Sequence, residues 1–277
     1  MNFASPTVAH LLTASSTTTK ANGEANAIAG VLSLSYSLSP HPSCPPTSPE
    51  DDFSRSAVHP AHVLDVLAAL AFAREIFGEG VERSAVLVGH SCGATLALQS
   101  VMGGSRYWQS TGGAASVEMS RDDERDGQER AEAAFEPAAL ILLCGIYDIP
   151  LLTMPTTPAF QPYAPIYTEF ITGAFGPDEN VWRHASPALC PGRERVGKWL
   201  RSSGDGVVVV ADSKADGLVP PEQGEDMVTV LREEVVREGV EGKKVVRVEL
   251  KGGHDEIWED GGQIAELIWD VLDRLAI

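Results

Sequence analysis

The sequence predicts an α/β domain with a mostly parallel sheet and helices on both faces, and three observations carry that prediction. Short apolar runs of strand length alternate with helical patterns along most of the 277 residues. One run, Val207–Ala211, is four valines and an alanine, the composition of a strand buried on both faces. The residues able to do chemistry fall just after the ends of such runs, where open parallel sheets place them.

Taken in order, residues 1–27 are rich in Ser, Thr and Ala, with an amphipathic stretch at Val8–Leu12; a helix remnant and a polar loop are expected. Ala29–Ser35 runs apolar and alternates, predicting a strand, and the Pro- and Ser-dense residues 39–52 predict loop. A helix is expected from Pro60, because proline suits a first turn and Val63, Val66, Leu67, Leu70, Ala73 and Phe77 share one face. Ala85–Gly89 reads as a strand and Cys92–Met102 as the helix after it. Residues 103–134, Gly-rich and then packed with charges of both signs, are expected to be a disordered surface insertion.

Ala138–Leu143 predicts the next strand, and a Pro- and aromatic-rich stretch follows with a short helix at Ile166–Phe175. After Val207–Ala211 come a helix beyond Pro220-Pro221, a strand at Lys244–Leu250 and a closing helix. That last helix carries Ile264, Leu267, Ile268, Val271, Leu272 and Leu275 at i, i+3, i+4, i+7 spacing. With 43% hydrophobic residues and no repeats, the chain is expected to form one domain over 1–277.

A net charge of −18 disfavours nucleic acid or an anionic membrane as partner, since both require a basic surface. The four cysteines are scattered and form no C-x-x-C pair, so a reducing, cytoplasmic setting is expected. No stretch reaches the roughly 20 apolar residues of a membrane span. The first lysine or arginine is Lys20, with no continuous apolar core before it, so no secretory signal is expected.

The most telling segment is Val86-Leu87-Val88-Gly89-His90-Ser91-Cys92-Gly93-Ala94. A strand-like run enters G-x-S-x-G and leaves as a small-residue helix, the pattern of a nucleophile elbow. So sharp a turn is expected to need glycine at both Gly89 and Gly93. A serine hydroxyl is a weak nucleophile until an imidazole takes its proton and a carboxylate orients that imidazole. His254, after Gly252-Gly253 at the end of the last strand, is the best base. Asp216 is preferred as the acid because its loop extends several residues past the strand, with Asp212 as the alternative. Asp255 and Glu256 are expected to bond loop backbone or a substrate amine, and His90 to support the elbow. His59 and His62 flank a helix start, where solvated or capping roles are expected.

Together these segments resemble the fungal kynurenine formamidases (arylformamidases), which have the α/β-hydrolase fold. The matching stretches are Tyr36-Ser37-Leu38-Ser39-Pro40-His41-Pro42, Val88-Gly89-His90-Ser91-Cys92-Gly93-Ala94-Thr95 and Leu143-Cys144-Gly145-Ile146-Tyr147-Asp148. Two more are Ser213-Lys214-Ala215-Asp216-Gly217-Leu218-Val219 and Gly253-His254-Asp255-Glu256-Ile257-Trp258. The resemblance implies Ser91 as nucleophile, His254 as base, Asp216 as acid and the Cys92 N–H as an oxyanion donor. It implies hydrolysis of N-formyl-L-kynurenine to L-kynurenine and formate, a step of tryptophan degradation. A formyl group needs almost no acyl pocket, whereas the aryl amine needs an aromatic slot, for which Tyr147, Tyr163, Phe170 and Trp258 are candidates. The metal-dependent formamidases use clustered His and Asp ligands; no such cluster shows in the sequence, so no metal and no cofactor is expected. The expected partner is a small aromatic formamide, and a homodimer is left open.

The resemblance departs at one point. The family carries H-G-G-x-W upstream of the strand matching Ala29–Ser35, and this sequence has no H-G-G. The chain is therefore expected to lack the family's first strands and one oxyanion donor, and to be poorly active. Two alternatives stay open: a broader carboxylesterase of the same fold, and a non-catalytic hydrolase-like protein.

Overall fold

The computed structural model describes residues 4–14, 28–40, 55–78, 80–110, 134–240 and 244–275. In chain order the elements are α1 (Ser5–Ala14), α2 (Ala61–Phe77), β1 (Val86–His90), α3 (Cys92–Met102) and α4 (Ser105–Gln109). Then come β2 (Ala139–Leu143), α5 (Ile149–Thr153), α6 (Ala164–Phe175), α7 (Glu179–Ala185) and α8 (Glu194–Ser202). The last third holds β3 (Val207–Ser213), α9 (Glu222–Arg237), β4 (Val245–Leu250), α10 (His254–Asp260) and α11 (Gly262–Leu275).

The strands form one parallel sheet in sequence order, β1-β2-β3-β4. That order dictates the layers. Right-handed crossovers between strands added always on the same side put every connecting helix on one face. Accordingly α3, α8 and α9 share a face with α2, where Leu67, Leu98, Leu200 and Leu231 pack on Leu140, Leu142, Val208 and Val210. The opposite face must be covered by helices outside the crossovers. It is: Leu11 of α1, Ile257 of α10 and Ile264, Ile268 and Val271 of α11 pack on Ile141, Leu143, Val207, Val209 and Ala211. Alternate residues of β2 and β3 thus serve opposite layers, which is why both strands read as unbroken apolar runs. Burial of each such side chain contributes about 1.5–3 kcal/mol.

Three expectations are corrected. Ala29–Ser35 joins no sheet: residues 28–40 have no regular structure, and Val31 and Leu32 are half-exposed. A strand needs a ladder partner, and this segment is fastened to the start of α2 instead. The Ser37 N–H donates to Asp65 Oδ2 (2.8 Å), and the Leu38 carbonyl accepts from the Ala57 N–H (3.0 Å). Second, the insertion expected over 103–134 does not begin at 103. Residues 105–109 form α4, and Trp108 is wholly buried, its indole N–H donating to the carbonyls of Gln99 and Gly103. Residues 111–133 lie outside the described residues. Third, Phe77 does not join the buried face of α2; it ends the helix 60% exposed. Among the described residues no helix is long and apolar enough to cross a membrane.

Candidate active site

The elbow forms where the sequence places it. β1 ends at His90, α3 starts at Cys92, and Ser91 between them takes φ 57° and ψ −125°. A left-handed φ is uncommon for a residue with a Cβ. Here it is held from both sides. The Ser91 N–H donates to the Leu143 carbonyl on β2 (2.9 Å), and the Ser91 carbonyl accepts from the Ala94 N–H (3.0 Å). Gly89 is required by space, because a Cβ there would lie 2.3 Å from the Gly93 carbonyl oxygen. The matching expectation for Gly93 is corrected: among the described residues, a Cβ there meets nothing within 4 Å.

His254 opens α10 just after β4, and its Nδ1 lies 2.7 Å from Asp216 Oδ2. The other carboxylate oxygen, Oδ1, accepts from the N–H groups of Leu218 (2.8 Å) and Val219 (2.9 Å). Burial acts to raise the Asp216 pKa. The hydrogen bonds from His254 and from the two amides outweigh it and hold the carboxyl below its ordinary value. Asp216 therefore stays ionised, as the partner of an imidazole must. Asp212 lies elsewhere, against Gly224 of α9 and 3.8 Å from Arg247, and burial pushes its pKa up to about 6. Among the described residues the Ser91 hydroxyl makes no hydrogen bond to His254. Such bonds are commonly long before substrate arrives.

Other expected roles sort by packing. Tyr147 is a correction: it is completely buried in the layer of α3 and α9, with its N–H held by Gln223 Oε1 (2.7 Å), so it cannot line a slot. Tyr163, just before α6, is 42% exposed and faces Tyr167 across 6.0 Å, and Phe170 of α6 is half-buried. Trp258 packs on the layer of α11, and its indole N–H donates to Asp255 (3.1 Å). Glu256 accepts from the Gly253 N–H (2.7 Å), fixing the loop that delivers His254. His59 is not solvated: it is buried against the rings of Trp108 and Phe175. His62 shares a 2.8 Å hydrogen bond with the Ser39 hydroxyl.

Sequence reasoning missed three neighbours of the site, Tyr36, Tyr167 and Cys144, and gave the fourth, His90, a supporting role without its partner. The Tyr36 hydroxyl lies 3.2 Å from Cys92 Sγ. The Tyr167 hydroxyl donates to the Leu218 carbonyl, in the loop that holds Asp216. His90 reaches the backbone of His254. Cys144, at φ 45° after β2, has its thiol pushed upward by burial and by Asp216. Donor atoms of His90, Cys144 and His254 lie within 4.8 Å of one another, a grouping invisible in the sequence because three separate strand ends supply it. Two of these side chains are engaged within the protein, His254 through Nδ1 to Asp216 and His90 through Nε2 to the His254 carbonyl.

Comparison with known proteins gives the family of the chain. Residues 23–267 match the model of the "Alpha/beta hydrolase family". A kynurenine formamidase-like hydrolase, fscH, of Fusarium equiseti is 32% identical over 99% of this chain and 77% of its own length. Kynurenine formamidase avaC of Aspergillus versicolor is 27% identical over 83% of this chain and 70% of its own. A solved esterase/lipase from an uncultured bacterium superposes with a TM-score of 0.51 at 15% identity, over 98% of this chain and 70% of that one. The chain is a hydrolase that belongs to the alpha/beta hydrolase family, among the fungal proteins of kynurenine formamidase type.

Proposed function

We propose that the chain is a serine hydrolase acting on an aryl formamide, N-formyl-L-kynurenine, and releasing formate and L-kynurenine. The observation that carries this is the buried Asp216–His254 pair beside a strained serine elbow, in a chain whose relatives are named for that activity. In the proposed sequence His254 Nε2 takes the Ser91 proton as Oγ attacks the formyl carbon. The Cys92 N–H, at the start of α3, donates to the developing oxyanion. His254 then passes the proton to the aniline nitrogen, which leaves, and water hydrolyses the formyl-serine by the same route in reverse. Tyr163, Phe170 of α6 and Trp258 of α10 are the remaining slot candidates for the aryl ring.

A second reading, a hydrolase-like chain with little turnover, is favoured by one observation. β1 is paired only with β2 among the described residues, so no neighbouring strand brings a second oxyanion donor to that side of Ser91. The test is formate release from N-formyl-L-kynurenine, with short aryl esters alongside and Ser91→Ala as control. Release that disappears in Ser91→Ala supports the proposal. Esters hydrolysed in preference to the formamide support a broader carboxylesterase. If a fluorophosphonate fails to label Ser91, the chain is not a serine hydrolase.

A further inference from the structure

His90 immediately precedes the nucleophile, yet its side chain serves the base. Its Nε2 lies 3.1 Å from the backbone carbonyl of His254, and the two imidazole rings are 4.5 Å apart, inclined at 49°. A carbonyl oxygen can only accept, so Nε2 must carry the proton and His90 is the Nε2–H tautomer. The contact joins the end of β1 to the first residue of α10 across 164 positions of sequence. No other hydrogen bond described above joins the strand that presents the nucleophile to the helix that presents the base.

We propose that His90 is a positioning residue: its Nε2–H holds the His254 carbonyl, and with it the His254 ring, in register with Ser91. The proposal rests on the serine-hydrolase reading above. Asp216 fixes the tautomer and tilt of the His254 ring through Nδ1, but it does not fix where α10 begins relative to β1; His90 does. The groups facing His90 are His254, Asp216 and Asp255, with the Cys144 thiol within 4.8 Å. Burial, followed by the neighbouring His254, pushes the His90 pKa down to about 4, so the ring stays neutral at neutral pH. Neutrality matters because an imidazolium must form on His254 during the reaction, and a second positive ring 4.5 Å away would oppose it.

The donor and the ring can be separated by substitution. His90→Phe keeps an aromatic ring and loses the donor; His90→Gln loses the ring and keeps an N–H. His90→Asp loses the donor and adds a negative charge. Ser91 phosphonylation by a fluorophosphonate reads the Ser91–His254 register without depending on the natural substrate. We expect His90→Phe to react about tenfold or more slowly at an unchanged Tm, since small displacements between reacting groups cost rates of that size. His90→Gln is expected to recover most of the loss, and His90→Asp to move the acid limb of the pH profile to higher pH. The downfield proton resonance of the His254–Asp216 bond should broaden or move in His90→Phe and return in His90→Gln. A His90→Phe protein as reactive as the wild type, or a His90→Gln protein as slow as His90→Phe, overturns the proposal. A wild-type chain that is not phosphonylated at all overturns the serine-hydrolase reading first, and the role of His90 with it.

Discussion

Nδ1 of His254 and Oδ2 of Asp216 meet at 2.7 Å, with side chains only 8% and 3% exposed. In so enclosed a setting a hydrogen bond between imidazole and carboxylate is stronger than in water, and its loss is harder to compensate. The carboxylate is itself fixed by the amides of Leu218 and Val219, so the imidazole is aligned by a group that cannot easily rotate. Asp212, at the end of β3, makes no hydrogen bond to His254 among the described residues.

Asp216→Asn should therefore lower kcat by about 10²–10⁴, because an amide presents the wrong partner to the imidazole. Asp212→Asn should stay within about tenfold of the wild type. Steady-state kinetics of the two variants on one substrate make the comparison. If Asp212→Asn proves the worse mutant, the acid has been assigned to the wrong carboxylate.

The two glycines of the elbow should behave differently. Gly89→Ala would set a Cβ against the backbone of Gly93, so misfolding or complete loss of Ser91 labelling is expected. Gly93→Ala meets open space among the described residues and lies in α3, where alanine is the better helix former. It should fold with an unchanged or slightly higher Tm. Equal damage from both substitutions, seen in thermal melts and fluorophosphonate labelling, would contradict the geometry of the elbow.

His59 gives the fold a pH dependence of its own. Burial first, and the nearby His62 second, push its pKa down to about 4 from an unfolded value near 6.5. The unfolded chain binds this proton more readily than the folded one. The contribution is therefore fully present above pH 6.5 and is lost as pH falls from there through 4, by about 3 kcal/mol. Chemical denaturation from pH 8 to 4 should show that loss, and His59→Phe should show less of it. Parallel profiles for the two proteins would rule His59 out as the cause.

Trp108 tests the packing of 103–110. Its ring is fully buried beside His59, and its indole N–H is shared between the carbonyls of Gln99 and Gly103. Trp108→Ala should cost about 3–5 kcal/mol, a fall in Tm of about 10 °C. A melting temperature within a degree or two of the wild type would mean that the segment is dispensable after all.

What was legible in the sequence follows from what is local. The valine run of β3, the elbow around Ser91 and the stripe of α11 are each set by neighbours a few positions away, and each lies where expected. Asp216 could be preferred over Asp212 by loop length alone, but the choice rests on which carboxylate can turn toward His254, a fact of three dimensions. Tyr147 misled because an aromatic residue just past a strand end looks available to substrate. Gln223, from a helix more than seventy residues away, draws its backbone toward the core. Ala29–Ser35 misled for the opposite reason: its alternation is that of a strand, but pairing is decided by what lies beside it. The contact from His90 to His254 has no signature in either local segment.

The one-sided pairing of β1 also grades the sheet. β2 and β3 have ladder partners on both edges, whereas β1 is bonded only toward β2 among the described residues, and Val88 at its middle is 40% exposed. Amide protons of β2 and β3 should accordingly be the last to exchange with deuterium, and those of β1 should exchange through smaller, more frequent openings. Among the described residues the nucleophile thus hangs from one margin of the sheet, the acid from the interior strand β3 and the base from β4 at the other margin. Whatever loosens or braces the β1 margin will change the reactivity of Ser91 before it changes the melting of the fold.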